Sequence, residues 1–227
     1  MELSVVIPFY NEEDNAAGVL NGIDAVLSGS NISYEIVAVD NGSIDKTGKI
    51  LEELKKKINA LKVVKVNVNE GYGWGIRQGL EKSRGDYLGF MCGDNQVDAS
   101  EIIRVYDKLK KEGLDLCKVK RVERHDGFSR KFISFFYNII CPLLFSVNDH
   151  DLNGTPKIFK RSIFQGISLV SKGWFIDAEI MIRFSNLGSK IGDVSVVFKK
   201  REKGASKVNI KAVFGFIGEM LAYKIKH

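Results

Sequence analysis

Three carboxylates, Glu12, Asp40 and Asp94, each stand just beyond a short apolar run in the first half of the chain. Carboxylates accept hydrogen bonds from ribose hydroxyls and base N–H groups, and one beside a diphosphate supplies hard oxygen to a divalent ion. Singly, such a residue serves equally well in a turn or as a helix cap. Three of them at run ends form the pattern of a nucleotide site. The string NEGYGWGIRQG places Gly71, Gly73 and Gly75 close together, but without GxGxxG spacing. Its glycines therefore predict a tight turn and close packing of the next helix, with Arg77 free to face a phosphate or carboxylate. Basic and aromatic residues mingle between Arg121 and Tyr137 and between Lys199 and Lys207, yet no nucleic-acid recognition module accompanies them. Nucleic acid is not an expected partner.

The elements that must position these residues alternate from the start. LSVVIPF, YEIVAVD, LKVVKVN and DYLGFMC read as strands, and helical patterns follow them over Glu13–Leu27, Lys46–Ile58, Gly75–Lys82 and Ala99–Lys111. Alternation at this spacing predicts parallel strands joined by crossover helices, an α/β fold. IVAV and LGFM are apolar without alternation, as in strands covered on both faces. Ligands of such sheets bind beyond the carboxyl ends of the strands. The residues there are polar: Tyr10, Asn11 and Glu12; Asp40 to Ser43; Asn69 to Gly75; Gly93 to Gln96. Four strand ends are thus expected to line one crevice. The second half is less regular, with a basic aromatic segment, a polar loop DHDLNGTPK, a helix near Ile176–Leu187, an alternating run KIGDVSVVF and a last helical pattern to His227.

At 227 residues the chain suits one domain, and lysine plus arginine exceed aspartate plus glutamate by 34 − 28 = 6, which favours phosphates or an anionic membrane. Cys92, Cys117 and Cys141 are widely spaced and suggest neither a disulfide framework nor a CxxC metal site. MELSVVIPFYNEE has no basic leader, so a cytoplasmic location is expected. The longest greasy stretch, Phe132 to Val147, falls short of the roughly 20 residues that cross a bilayer, though it suits a membrane surface.

Read in order, VVIPFYNEEDN, VDNGSIDKTG, NEGYGWGIRQG, GDYLGFMCGDNQVD, DLNGTPKIFKR and REKGASKV resemble the family 2 glycosyltransferases of GT-A fold, and within them the dolichyl-phosphate mannose synthase and polyprenyl-phosphate glycosyltransferase branch. The resemblance covers nearly the whole chain. It implies a single GT-A domain, with a nucleotide-sugar-binding half over 1–98, an acceptor-binding half over 99–207 and a C-terminal helix over 208–227 suited to a membrane. On this likeness Pro8, Tyr10, Glu12 and Asp40 hold base and ribose. Cys92, Gly93 and Asp94 match the family's DxD element, with Asp94 and Gln96 approaching Mg²⁺ or Mn²⁺ and the diphosphate. Cys92 replaces the first aspartate, and sulfur is a poor ligand for either ion.

The likeness further implies that Arg201 and Lys207 close over the diphosphate of the donor, offsetting charge on the departing nucleotide. Arg121, Arg130, Ser134 and Asn138 fall where a lipid phosphate is held, and guanidinium binds phosphate bidentately. An acceptor phosphate is already anionic, so inverting displacement needs no dedicated base, and Asp94, Arg121 and Arg130 are the expected catalytic residues. Asp177 and Glu179 lie near the region of an acceptor-side acid, but their spacing of two puts them on different helix faces. The expected reaction moves a hexose from GDP-mannose or a UDP-sugar to a polyprenyl phosphate, by an enzyme peripheral to the cytoplasmic membrane face. Any multispan partner is expected to be a separate protein. Two alternatives stay open: a glycan or soluble hydroxyl acceptor, and a nucleotide-sugar-binding protein that does not catalyse.

Overall fold

The β-branched runs form the centre of the molecule. The computed structural model describes residues 1–123, 144–145, 147, 151–197 and 210–226. Strands β1 (Leu3–Phe9), β2 (Tyr34–Asn41), β3 (Leu61–Val66) and β4 (Tyr87–Phe90) alternate with helices α1 (Ala16–Ser28), α2 (Thr47–Lys55), α3 (Tyr72–Lys82) and α4 (Ser100–Lys111). Then come β5 (Leu116–Glu123), β6 (Lys157–Lys160), the short α5 (Arg161–Phe164), α6 (Ile176–Asn186), β7 (Ile191–Val197) and α7 (Ile210–Lys226). The seven strands make one sheet in the order β3-β2-β1-β4-β6-β5-β7. The first four are parallel, β6 runs antiparallel to both β4 and β5, and β7 is parallel to β5. The expected α/β fold with a mostly parallel, helix-flanked sheet is what the chain adopts.

Successive residues of a strand point to opposite faces, and both faces here are covered. Leu3, Val5, Ile7 and Phe9 of β1 join Ile36 and Ala38 of β2 in a core with residues of α1, α2 and α4. Val6, Val37 and Val39 join the opposite core with Ile76 of α3, Ile180 of α6 and Phe216 of α7. Double burial explains why these runs lack an alternating polar face.

Two strands depart from the sequence reading. β5 was not expected as a strand, and β6 lies partly in what reads as the polar loop DHDLNGTPK. Both carry lysines at inward positions: Lys118 and Lys157 are each 0% exposed. A buried lysine reads as solvent-facing in a hydropathy pattern, so the period that marks a strand is hidden. Among the described residues no helix is long and apolar enough to cross a membrane.

Candidate functional site

The strand order turns back between β1 and β4, and at the carboxyl edge there a ligand of such a sheet is expected. Asn11, with φ of 49°, turns the chain sharply after β1. Its backbone N–H donates to Ser43 Oγ (3.1 Å), and its Oδ1 accepts from the Ile44 N–H (2.9 Å), tying the ends of β1 and β2 together. Glu12 donates its N–H to Thr47 Oγ1 (2.9 Å), while its carboxylate accepts from Asn15 Nδ2 (2.7 Å). Asp40 accepts the Ser43 N–H at 3.0 Å. Asn41 Nδ2 donates to the Gly71 carbonyl (2.9 Å), joining β2 to the turn after β3. Gly71 has φ of 128°, a conformation that side-chain-bearing residues rarely adopt.

Gly93 completes the fourth strand end. It is buried against Phe9, whose ring would lie 2.6 Å from a Cβ at this position. The four expected strand ends are therefore adjacent. Pro8 and Tyr10 flank the same edge and are half-buried, whereas Glu12 and Asp40 are buried at 9% and 5% exposure. Both carboxylates thus tie the loops at this edge.

Asp94 is half-buried, and its Oδ1 accepts the Gln96 N–H at 3.3 Å. Cys92 lies under it, with Tyr72 Oη 3.4 Å and Thr155 Oγ1 3.8 Å from its sulfur. Burial, reinforced by the charge of Asp94, pushes the Cys92 thiol up to about 12. Sulfur at this position is a softer donor than the oxygen that Mg²⁺ and Mn²⁺ favour. Among the described residues no cluster of three histidine, cysteine, aspartate or glutamate side chains exists that could hold a metal. The donor set fits a cation with one protein carboxylate, Asp94, the remaining ligands coming from phosphate and water.

Behind Cys92 sits a buried, charge-balanced group that the sequence reading did not anticipate. Arg121 Nε contacts both Asp151 oxygens (3.1 and 3.0 Å), an Nη closes the pair, and the Arg121 backbone N–H reaches the same carboxylate at 2.8 Å. Burial works against the Arg121 charge, but Asp151 overcomes this and raises its proton affinity. The guanidinium thus has a firm use besides the phosphate that the sequence suggested. Lys157 Nζ donates to Asp177 Oδ1 (2.8 Å) and to the Leu152 carbonyl (2.9 Å). Desolvation holds the Asp177 carboxyl above its usual range despite that lysine.

Glu179, one face away from Asp177, accepts the N–H groups of Val170 (2.9 Å) and Ser171 (2.8 Å) and pairs with Arg183. Asp177 and Glu179 do point apart, as their spacing requires. Arg77 lies over the Trp74 ring and donates to the Val170 carbonyl at 3.2 Å. Arg130, Ser134, Asn138, Arg201 and Lys207 lie outside the described residues. Residues missed from sequence include Tyr72, Asp151, Thr155 and Lys157. The last three stand in DLNGTPKIFKR, a segment whose loop character concealed its convergence on β4.

Comparison with known proteins agrees with this geometry. The model of glycosyl transferase family 2 matches residues 4–168. The chain is 30% identical to a dodecaprenyl-phosphate galacturonate synthase of Rhizobium johnstonii, over 98% of this chain and 66% of that protein. It is also 30% identical to a dolichol-phosphate mannosyltransferase of Pyrococcus furiosus, over 96% of this chain and 62% of that protein. The chain thus spans under two thirds of the length of both curated relatives. Among solved structures, glucosyl-3-phosphoglycerate synthase from Mycobacterium tuberculosis, in complex with Mn²⁺, UDP and phosphoglyceric acid, superposes with a TM-score of 0.73 at 20% identity, covering 99% of this chain and 78% of that one. Such a likeness shows a shared fold, and the fold is the GT-A arrangement. From the family match and the two relatives together, the chain belongs to glycosyl transferase family 2.

Proposed function

We propose that the protein transfers a hexose from a nucleotide-diphosphate sugar, GDP-mannose or a UDP-sugar, to a polyprenyl phosphate at the cytoplasmic face of a membrane. The observation that carries this reading is the adjacency of four parallel strand ends, the last followed by Asp94, together with two ion pairs, Arg121–Asp151 and Lys157–Asp177, on the segments next to β4. The names of the two relatives, a dodecaprenyl-phosphate and a dolichol-phosphate enzyme, support a lipid phosphate as acceptor.

On this reading the loops held by Glu12 and Asp40 receive base and ribose, with Pro8 and Tyr10 at the rim. Asp94, with Gln96 beside it, would hold Mg²⁺ or Mn²⁺, whose charge would neutralise the donor's diphosphate. With Cys92 at the first position of the motif, Asp94 would be the one carboxylate supplied there, and cation binding would depend on the donor. Asp151 clamps Arg121 so that its position is set before substrate arrives, a preorganised contribution to electrostatic stabilisation. Arg121 orients the acceptor phosphate together with Arg130, Ser134 and Asn138, and Arg201 and Lys207 offset charge on the departing diphosphate. An anionic phosphate oxygen attacks the anomeric carbon and the nucleoside diphosphate leaves, so positioning and charge account for the rate without a general base.

The test is transfer of radiolabelled sugar from GDP-mannose, UDP-glucose or UDP-N-acetylglucosamine to undecaprenyl phosphate in anionic vesicles, with Mn²⁺ or with chelator. One donor is expected to label the lipid, and Asp94→Ala is expected to lower the rate by about 10²-fold or more. Labelling of a soluble alcohol in place of the lipid would overturn the acceptor. Donor binding without any turnover would overturn the enzyme.

A further inference from the structure

Residues 170–175 form a loop between α5 and α6, and it touches the site through its aromatic residue. Trp174 stacks on Tyr72, with ring centroids 4.7 Å apart and planes 19° from parallel. Tyr72 in turn reaches the Cys92 sulfur. The same loop fixes the start of α3, because Gly73 N–H donates to the Gly173 carbonyl (3.2 Å) and Trp74 N–H to that of Lys172 (2.9 Å).

The loop's own amides need acceptors, and a helix far away in sequence provides them. Glu219 of α7 accepts from Lys172 N–H (3.2 Å) and Gly173 N–H (2.8 Å) through Oε1, and from Ser171 Oγ (2.9 Å) and Phe175 N–H (3.3 Å) through Oε2. Charge-assisted bonds of this kind are the stronger class. Gly173 admits the carboxylate, since a Cβ there would lie 2.7 Å from Glu219 Oε2. Phe216, Met220 and Tyr223 of α7 are buried in the core beside Phe175, which seats the helix independently of Glu219.

We propose that Glu219 is a positioning residue for the donor site: its carboxylate sets the 171–175 loop, and through the Trp174–Tyr72 stack it places Tyr72 against Cys92, two residues before Asp94. The inference rests on the transferase reading only for its kinetic consequence. Tyr72 approaches the residue two positions before Asp94, so loosening the loop shifts the floor of the crevice where the diphosphate is expected. Misplacement on the scale of an ångström suffices to slow a positioned reaction substantially.

The experiment compares Glu219→Ala and Glu219→Gln with Leu109→Ala, a core substitution on the opposite face of the sheet that serves as a control for general destabilisation. Three quantities are read well below each variant's Tm: Trp174 emission in a Trp74→Phe background, the rate of Cys92 alkylation in a Cys141→Ser background, and the kcat and KM of transfer. Glu219→Ala is expected to red-shift the emission, speed Cys92 alkylation severalfold and lower kcat by about tenfold or more. Leu109→Ala is expected to lower Tm while leaving all three unchanged. Glutamine retains one oxygen for Lys172 and Gly173, and its amide can donate to Ser171 Oγ, so partial rescue is expected.

Unchanged emission and alkylation in Glu219→Ala would overturn the proposal, whatever the activity. So would matching changes in Leu109→Ala. Changed emission and alkylation with an unchanged kcat would also overturn it, leaving a purely structural clamp. If the wild-type protein transfers no sugar, the transferase reading fails, while the two spectroscopic and chemical readouts still decide whether Glu219 positions Tyr72.

Discussion

Lys157 and Asp177 show how much a single side chain costs when it is buried charged. Lys157 is fully enclosed, its Nζ lies 5.4 Å from the centre of the Phe90 ring, and Asp177 is its ionic partner at 2.8 Å. Removing one member of such a pair leaves an uncompensated charge, whereas replacing both by apolar groups is often nearly neutral. Lys157→Met is therefore expected to lower unfolding free energy by roughly 3–5 kcal/mol, and Lys157→Met with Asp177→Leu to recover most of that loss. Urea unfolding of the two variants checks this. An additive double variant would show that the two charges are not coupled. The stable double variant, if it folds, is expected to transfer poorly, because the charge-balanced floor behind Cys92 is gone.

At the scale of elements, Asp115 joins the second half of the sheet. It precedes β5, accepts Lys160 Nζ of β6 at 2.8 Å and accepts the Lys190 N–H, just before β7, also at 2.8 Å. Burial alone would raise its carboxyl, but the Lys160 hydrogen bond and the Lys190 N–H outweigh it and hold the group below its ordinary value. A carboxylate depressed in the folded state contributes stability that is present above the unfolded pKa of about 3.9 and is lost as pH falls through the folded value. Asp115→Asn is expected to cost roughly 1 kcal/mol at neutral pH, the pair being partly exposed, and to flatten the acid side of the Tm profile below about pH 4. Parallel profiles for the two proteins would show that the ion pair adds nothing.

For the whole molecule, α7 is the last described element to join the fold, and it closes the core on the α3 and α6 face. Phe175 contacts Phe216 and Tyr223 at centroid distances of 5.5 and 5.4 Å, and Phe145 adds a further ring against Phe175 and Tyr223. Ending the chain at Asn209 would expose this aromatic cluster and leave the amides of 171–175 without Glu219. Unpaired buried donors cost more than their hydrogen bonds add. The shortened protein is expected to bind an apolar fluorescent dye strongly and to lose cooperative thermal unfolding. A sharp transition with no dye binding would show that the sheet and its other helices are self-sufficient.

The α/β alternation, the four polar strand ends and the family likeness were legible in the sequence because each depends on local pattern. Apolar runs of strand length, turn residues after them and ordered motifs can all be read along one dimension. The placement of Glu12, Asp40 and Asp94 at strand ends was read in this way. The antiparallel insertion of β6 was not, because a buried lysine counts as polar until its carboxylate partner is known. The place of Arg77 over the Trp74 ring, with its donor on the Val170 carbonyl, was equally hidden. The partners Arg121 with Asp151, Lys157 with Asp177 and Glu219 with the 171–175 loop are separated by 30, 20 and as many as 48 residues. Such pairings carry no periodic signature. Only the tertiary structure decides them, because desolvation makes a buried charge tolerable where an opposite charge or a set of free amides arrives from elsewhere in the chain.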